Sequence, residues 1–226
     1  MARSSGKKAR AARPENPVEY GFKEVKPLNY IQGEYLEAIK QNDIIFGIGS
    51  AGTGKTYVAA TYAAGELFHR RVDKIILTRP NVETGRGLGF LPGELDEKYA
   101  PFLLPFEDIL KRSLGTGYYE YALKAKQIDP KPLGFMRGST FDNCIVLADE
   151  MQNATRDEMK MLLSRIGKNC KMIFSGDQEQ ADISDSGLED AVRRLEGIPG
   201  VEVTRFRDDD IVRSQMCKRI IIAYRN

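Results

Sequence analysis

The chain of 226 residues has 42% hydrophobic and 29% charged residues and a formal net charge of +2. These values are ordinary for a globular protein, and the net charge is too small to identify a nucleic-acid-binding protein by itself. No apolar run approaches the length of a bilayer span, and none follows the basic N-terminus, so we expect neither a membrane segment nor a secretory signal. The three cysteines form no CxxC pair, which argues against a disulfide framework and favours a cytoplasmic location.

Residues 1–26 are predicted to be a disordered arm. Several lysines and arginines precede the first acid, Glu15, and the nearby prolines Pro14, Pro17 and Pro27 favour an extended backbone. The arm is either a solubilising tail or a segment that contacts the phosphates of a nucleic acid. The remaining residues, 27–226, are predicted to form a single domain.

The first half of this domain alternates helical and strand-like segments. Asn29 is a candidate N-cap, and the apolar pattern predicts helices over 29–41 and 55–70 and strands over 43–48 and 74–78. Four prolines are expected to divide the following section into loops and short helices: Pro80, Pro92, Pro101 and Pro105.

The second half repeats the alternation. Strands are predicted over 144–149, 171–177 and 201–206. Thr155 with Glu158 predicts a capping box for a helix through residue 165, Ser186 with Glu189 predicts another, and a final helix is expected from about Asp208. The alternation predicts a three-layer α/β fold with a mostly parallel central sheet and right-handed crossovers.

The sequence GIGSAGTGKT, residues 47–56, lies between the first predicted strand and the helix that follows it. It matches the phosphate-binding loop of P-loop NTPases, whose backbone N–H groups and helix N-terminus bind phosphate. Lys55 is expected to reach the β- and γ-phosphates and Thr56 to bind Mg²⁺. The residues predicted to contact the nucleotide are Gly49, Ser50, Ala51, Gly52, Thr53, Gly54, Lys55, Thr56 and Tyr57.

Two acidic residues end the apolar strand CIVLADE. Asp149 is placed to bind Mg²⁺, and Glu150 is placed to polarise the attacking water as general base. The alternative is that both carboxylates cap the following helix. The adjacent glutamate favours hydrolysis of the nucleotide over transfer of its phosphate to another substrate.

The sequence GDQEQ, residues 176–180, follows another strand. The Gln180 amide can donate to a γ-phosphate oxygen and accept from water, which suits a sensor of the phosphate. The alternative is an ordinary polar turn.

Six segments occur in the order seen in the PhoH-like ATPase family, which the chain resembles from about residue 27 to its C-terminus. They are LNYIQ, GSAGTGKT, RPNVETGRGLGFLPGELDEK, ADEMQN, SRIGKNCKMIFSGDQEQ and DDDIVR. The resemblance implies ATP as the nucleotide and a RecA-like domain similar to the first such domain of superfamily-one helicases. It also implies that Gln32 reads the adenine edge, whereas the alternative is a plain helix residue.

The family is described as hexameric, and superfamily-one motors complete their ATP site with arginines from a second RecA-type domain. The resemblance therefore implies a homo-oligomeric ring in which a neighbouring subunit supplies an arginine. The candidates are Arg213, Arg165 and Arg79, with Arg213 first. Where the family commonly has alanine after the Asp-Glu pair, this chain has Met151. Residues 214–216 read Ser-Gln-Met where the family has His-Pro-Leu, which weakens the inference at Arg213.

Single-stranded RNA or DNA is the partner that the helicase resemblance implies. Phe90, Leu91, Phe102 and Phe106 could stack on bases or pack into the core, and His69 is expected at the surface. Two functions remain open: an ATPase motor or remodeller that acts on nucleic acid, and an ATP-dependent assembly switch or scaffold that does no unwinding.

Overall fold

The computed structural model describes residues 21–80 and 95–223, with the backbone alone at 95–103 and 221–222. Its strands are β1 (Ile44–Gly49), β2 (Lys74–Thr78), β3 (Ile128–Pro130), β4 (Cys144–Ala148), β5 (Cys170–Gly176) and β6 (Val201–Phe206). Its α-helices are α1 (Tyr30–Gln41), α2 (Lys55–Phe68), α3 (Leu95–Leu114), α4 (Thr116–Lys124), α5 (Arg156–Leu163), α6 (Gly187–Leu195) and α7 (Gln215–Ala223).

The strands form one sheet in the order β3-β2-β4-β5-β1-β6. Each strand pairing is parallel within the described part of the chain. All the carboxyl ends of the strands therefore lie at the same edge, where ligands of open α/β sheets bind. The predicted mostly parallel α/β sheet is confirmed.

Side chains that alternate along the strands divide the core into two layers. Ile45 and Ile173 face the layer formed with α1–α4, whereas the neighbouring residues Phe46 and Phe174 face α5 and α6. The rings of Phe46 and Phe174 stack with their centroids 5.0 Å apart. Since both faces of the sheet are covered, β1, β2, β4 and β5 are almost continuously apolar.

Helix α3 differs from its prediction. It continues for 20 residues through Pro101 and Pro105, where loops and short helices were expected. A proline inside a helix removes a backbone hydrogen bond and costs about 3 kcal/mol. Phe106, Leu110 and Leu114 are each at most 2% exposed in the core beside α2, and their burial offsets this cost.

The predicted helix caps had different outcomes. Asn29 caps α1, and Thr155 with Glu158 forms the capping box of α5. The capping box at Ser186 was wrong because the Ser186 hydroxyl, although it stands at the N-cap of α6, makes no cap hydrogen bond. The final helix begins at Gln215, after a short 3₁₀ turn at Asp208–Asp210.

The last residues of the predicted arm belong to the folded domain. The Phe22 ring stacks on Phe68 with a centroid distance of 5.6 Å, and the Lys23 N–H donates to the Ser113 carbonyl at 3.1 Å. The prediction that residues 1–26 are disordered was therefore wrong for residues 21–26. The rest of the arm, residues 1–20, lies outside the described residues.

Candidate nucleotide-binding site

A cavity of about 570 Å³ lies at the carboxyl edge of the sheet, beside the ends of β1, β4 and β5. Most of the predicted site residues line it together: Ala51, Gly52, Gly54, Lys55, Thr56, Tyr57, Asp149, Glu150, Gln180 and Arg213. These residues are separated by up to 162 positions in the chain, and the parallel sheet brings them together. Arg79 and Asp177, which were not assigned to the nucleotide's own subunit from sequence, also line the cavity.

The glycines of the loop after β1 have backbone conformations that other residues rarely adopt. Gly49, Gly52 and Gly54 have φ angles of 128°, 81° and 85°. A side chain at Gly49 would also clash with the Phe206 carbonyl, and one at Gly54 would clash with the amide of Gln32. The loop is thus shaped by close backbone approach as well as by its own turn.

The side chain of Lys55 is held inside the same loop by hydrogen bonds. It is 8% exposed, and its ammonium donates to the carbonyls of Gly49 at 2.6 Å and Ser50 at 2.8 Å. The Thr53 hydroxyl lies 3.3 Å from the same nitrogen. The ammonium is therefore held inside the concave loop, where it lines the cavity and can contact a phosphate.

Three loop residues predicted to contact the nucleotide do not line this cavity. Thr53 is fully buried, and Gly49 and Ser50 face a separate small depression beside Asp208. The Ser50 hydroxyl donates to Asp208 Oδ1 at 2.5 Å, which ties the loop to the segment after β6. These three residues shape the loop.

Thr56, Asp149 and Ser175 form a compact oxygen cluster at the base of the cavity. Asp149 Oδ1 accepts from Ser175 Oγ at 2.7 Å and lies 3.3 Å from Thr56 Oγ1. Mg²⁺ prefers such oxygen ligands and is commonly held by one or two carboxylates together with phosphates. The predicted metal ligands Thr56 and Asp149 are therefore adjacent and fit this ion.

Arg79 forms an ion pair with the same carboxylate. Its Nη2 lies 2.5 Å from Asp149 Oδ2, and the side chains are 17% and 8% exposed. Arg79 follows β2 directly, and the Asp149 N–H donates to the Thr78 carbonyl at 3.0 Å, so the parallel pairing of β2 and β4 brings the two residues together. From the sequence, Arg79 was considered only as an arginine that contributes to the ATP site of a neighbouring subunit.

Gln152 links the carboxylate of Glu150 to the end of β5. It is 1% exposed, its Nε2 donates to Glu150 Oε2 at 2.7 Å, and its Oε1 accepts from the Asp177 N–H at 3.1 Å. Glu150 itself is exposed with a left-handed φ of 56°, an unusual conformation that often marks a functional residue. Gln152 was not predicted from the sequence, where its only signal is its position two residues after Glu150.

Asp177 contacts the phosphate-binding loop directly. Its Oδ2 accepts from the Ala51 N–H at 3.1 Å, and its Oδ1 accepts from the Glu179 N–H at 3.3 Å. Gln180, at the end of the same short turn, is exposed and lines the cavity. Asp177 thus connects the proposed sensor segment to the loop that receives the phosphates.

Gln32 lies behind the loop and not in the cavity. It is fully buried, its Nε2 donates to the Thr53 carbonyl at 2.8 Å, and its Oε1 accepts from the Leu28 N–H at 2.8 Å. Together these bonds use one of the two donors and one of the two lone pairs of the amide. In this arrangement Gln32 supports the shape of the loop, and its recognition of adenine stays a prediction.

Arg213 lies over its own loop, where its Cδ would be 2.9 Å from a Cβ at Gly52. The Val212 N–H donates to the Gly52 carbonyl at 3.0 Å, which fixes this segment to the loop. Arg165 does not line the cavity, and it donates to the Met161 carbonyl at 3.2 Å. The structure thus brings Arg213, and not Arg165, to the cavity of its own subunit.

The aromatic residues considered for base stacking are only partly described. Phe106 is 2% exposed and packs in the core, so it presents no face to a base, which corrects that reading. Phe90, Leu91 and the side chain of Phe102 lie outside the described residues. His69 is exposed, as expected.

The family model of PhoH-like proteins matches residues 24–225. The chain belongs to this family. It is 43% identical over 201 residues to protein PhoH of Escherichia coli (strain K12), an alignment that covers 87% of this chain and 57% of that protein. The PhoH-like protein of Bacillus subtilis (strain 168) is 46% identical over 196 residues, which cover 85% of this chain and 61% of that protein. This member of the PhoH-like family thus spans about three-fifths of the length of these relatives.

Among solved structures, the Pif1 helicase of Candida albicans aligns with a TM-score of 0.40 and 16% sequence identity, over 81% of this chain and 41% of that chain. A score this low carries no argument about function. Within the described residues, no helix combines the length and the apolar character needed to cross a membrane.

Proposed function

We propose that this PhoH-like chain binds ATP with Mg²⁺ and hydrolyses it. The observation that carries the proposal is the convergence of Lys55, Thr56, Asp149, Glu150 and Gln180 on one cavity at the carboxyl edge of the sheet. A phosphate-binding loop, a metal-binding acid and a second acid beside it form the set of groups that nucleotide hydrolysis needs.

Each residue has a defined part in this reaction. The loop N–H groups and Lys55 bind the phosphates, and Glu150, oriented by Gln152, accepts a proton from the attacking water. Gln180 contacts the γ-phosphate through its amide. Mg²⁺, held by Thr56 and Asp149, would neutralise charge on the phosphate oxygens.

We further propose that hydrolysis drives a ring-forming motor or remodeller that acts on single-stranded nucleic acid, RNA in the first instance. The support for RNA is the sequence resemblance to helicase domains. The support for assembly is a set of exposed apolar side chains at the start of α1 and in α7. Leu28 and Tyr30, on either side of Asn29, are 68% and 80% exposed. The Asn29 amide donates to the Asp210 carbonyl at 3.1 Å. Met216, six residues after Asp210 in the chain, is 62% exposed.

The same exposed residues favour the second candidate, an ATP-dependent assembly switch without unwinding activity. Nucleotide bound against Gly52 would be sensed at once by Val212, which is 37% exposed and hydrogen-bonded to that glycine. The candidates differ in whether single-stranded RNA accelerates ATP turnover.

The test is ATP turnover with and without single-stranded RNA or DNA, measured in fractions of known oligomeric state. Stimulation by nucleic acid supports the motor. A nucleotide-dependent change in mass without stimulation supports the switch. Lys55→Ala should abolish binding or turnover while the protein stays folded, and full ATPase activity in that variant would refute both. Glu150→Gln should still bind ATP and lose turnover.

A further inference from the structure

Arg79 and Asp149 form an ion pair at the wall of the cavity. Asp149 is the carboxylate that would hold Mg²⁺, yet one of its oxygens lies 2.5 Å from a guanidinium nitrogen. Its other oxygen accepts from Ser175 and faces Thr56. The guanidinium of Arg79 is thus paired with the carboxylate that a divalent cation would need as a ligand.

The pair is largely shielded from water. The Asp149 side chain is 8% exposed and that of Arg79 is 17% exposed. A buried carboxylate is strongly disfavoured without a positive partner, and the hydroxyls of Ser175 and Thr56 beside it are neutral. Arg79 therefore stabilises the site electrostatically, and only another cation can replace it at low cost.

Arg79 has a second contact that holds the guanidinium plane in place. Its central carbon lies 5.7 Å from the centroid of the Phe106 ring on α3. Phe106 is 2% exposed, so this ring is fixed by the core. The guanidinium is thereby oriented at the wall of the cavity that Lys55 and Gln180 also line.

We propose that Arg79 is a phosphate-binding residue of its own subunit that rests on Asp149 and is exchanged onto the nucleotide when the divalent cation arrives. The proposal rests on the proposed ATPase function. A guanidinium pairs equally well with carboxylate and phosphate oxygens, because its fork of donors matches both. The cation thus takes the place of Arg79 at Asp149 while Arg79 pairs with a phosphate, so no buried charge is left without a partner of opposite sign.

Two changes are expected in a variant that lacks the positive charge of Arg79. In Arg79→Ala the cation no longer competes with the guanidinium, so the Mg²⁺ concentration at half-maximal ADP binding should fall by about tenfold. The variant also lacks a group for the γ-phosphate, so its preference for a non-hydrolysable ATP analogue over ADP should fall by about tenfold. Both are equilibrium measurements with fluorescently labelled nucleotides and need no turnover.

The matched control is Arg71→Ala. Arg71 also forms an arginine–carboxylate pair, with Glu66 at 2.7 Å, but its side chain is 64% exposed and it does not line the cavity. Its removal lowers the net charge equally and should leave both quantities unchanged. If Arg79→Ala is unfolded by thermal melting, Arg79→Gln keeps an amide donor for Asp149 without charge, and the same two shifts are expected.

An unchanged or higher Mg²⁺ midpoint in a folded Arg79 variant overturns the exchange. If the wild-type protein binds nucleotide in the same experiment, that result leaves the ATPase proposal intact. A wild-type protein that binds no nucleotide at any Mg²⁺ concentration removes the proposed function and the exchange together.

Discussion

The amide of Gln152 donates a hydrogen bond of 2.7 Å to the carboxylate of Glu150, the proposed general base. The other end of the same amide accepts from the Asp177 N–H at the end of β5. The position of the base is therefore coupled to the strand that carries the sensor segment. A buried amide in such a bridge orients its partners because either bond is costly to break.

Gln152→Leu should lower the ATP turnover number by about ten- to a hundredfold with little change in ATP affinity, because Glu150 loses its orientation and the phosphate-binding loop keeps its residues. Steady-state kinetics with equilibrium binding measures both. The control is Gln41→Leu, at an exposed position at the end of α1. Loss of affinity with normal turnover would contradict the orienting role of Gln152.

Gln32→Ala should weaken ATP and GTP binding by the same factor. In the structure the Gln32 amide contacts Thr53 and Leu28, so its loss loosens the loop and leaves base recognition untouched. The measurement is competition between the two nucleotides for a labelled analogue. A loss confined to ATP would instead restore the adenine-reading role implied by the family resemblance.

Gly49→Ala and Gly33→Ala form a matched pair. Gly49 has a φ of 128° and its new methyl group would clash with the Phe206 carbonyl, so we expect destabilisation of at least about 2 kcal/mol. Gly33 lies in α1, and apart from its chain neighbours and the nearby helix backbone no atom lies within 4 Å of its Cβ position, so alanine should stabilise the protein by about 0.5–1 kcal/mol. Chemical denaturation measures both. Equal effects would show that the approach of β6 does not constrain the loop.

Arg213→Ala mixed with Glu150→Gln subunits tests whether Arg213 acts across an interface. Because its side chain lies on Gly52 of its own subunit, we expect the mixture to show no more activity than the sum of its parts. Subunit exchange must be demonstrated with labelled proteins. Restored turnover would show that Arg213 completes a neighbour's site, as predicted from the family resemblance.

Asp190 predicts a pH dependence of stability. Hydrogen bonds from Arg194, and then from Arg193, lower its pKa from 3.8 to about 2. A carboxyl group with a lowered folded-state pKa stabilises the protein above its unfolded value and loses that contribution as the pH falls. The melting temperature of Asp190→Asn should be below that of wild type at pH 5–7, and the gap should close between about pH 4 and pH 2. Asp108→Asn, at an exposed position of α3, is the control. A gap that stays constant down to pH 2 would contradict the assignment.

The sequence by itself determined the parts of this protein that depend on local chemistry. Apolar runs predicted the principal strands, and the glycines before Lys55 predicted the phosphate-binding loop, because backbone freedom and hydrophobic periodicity act over a few residues. The Asp149–Glu150 pair was also readable, since an acid that ends a buried strand lies at the ligand-binding edge of a parallel sheet.

Only the tertiary structure decided which distant residues meet. Ser50 and Asp208 are 158 residues apart, and Arg79 and Asp149 are 70 apart, and both contacts follow from the strand order β3-β2-β4-β5-β1-β6. The same holds for α3, whose prolines oppose a helix locally while the burial of Phe106, Leu110 and Leu114 favours it. Gln32 shows the reason: a glutamine has one donor group and one acceptor group wherever it stands, and packing against Thr53 and Leu28 decides what they bind.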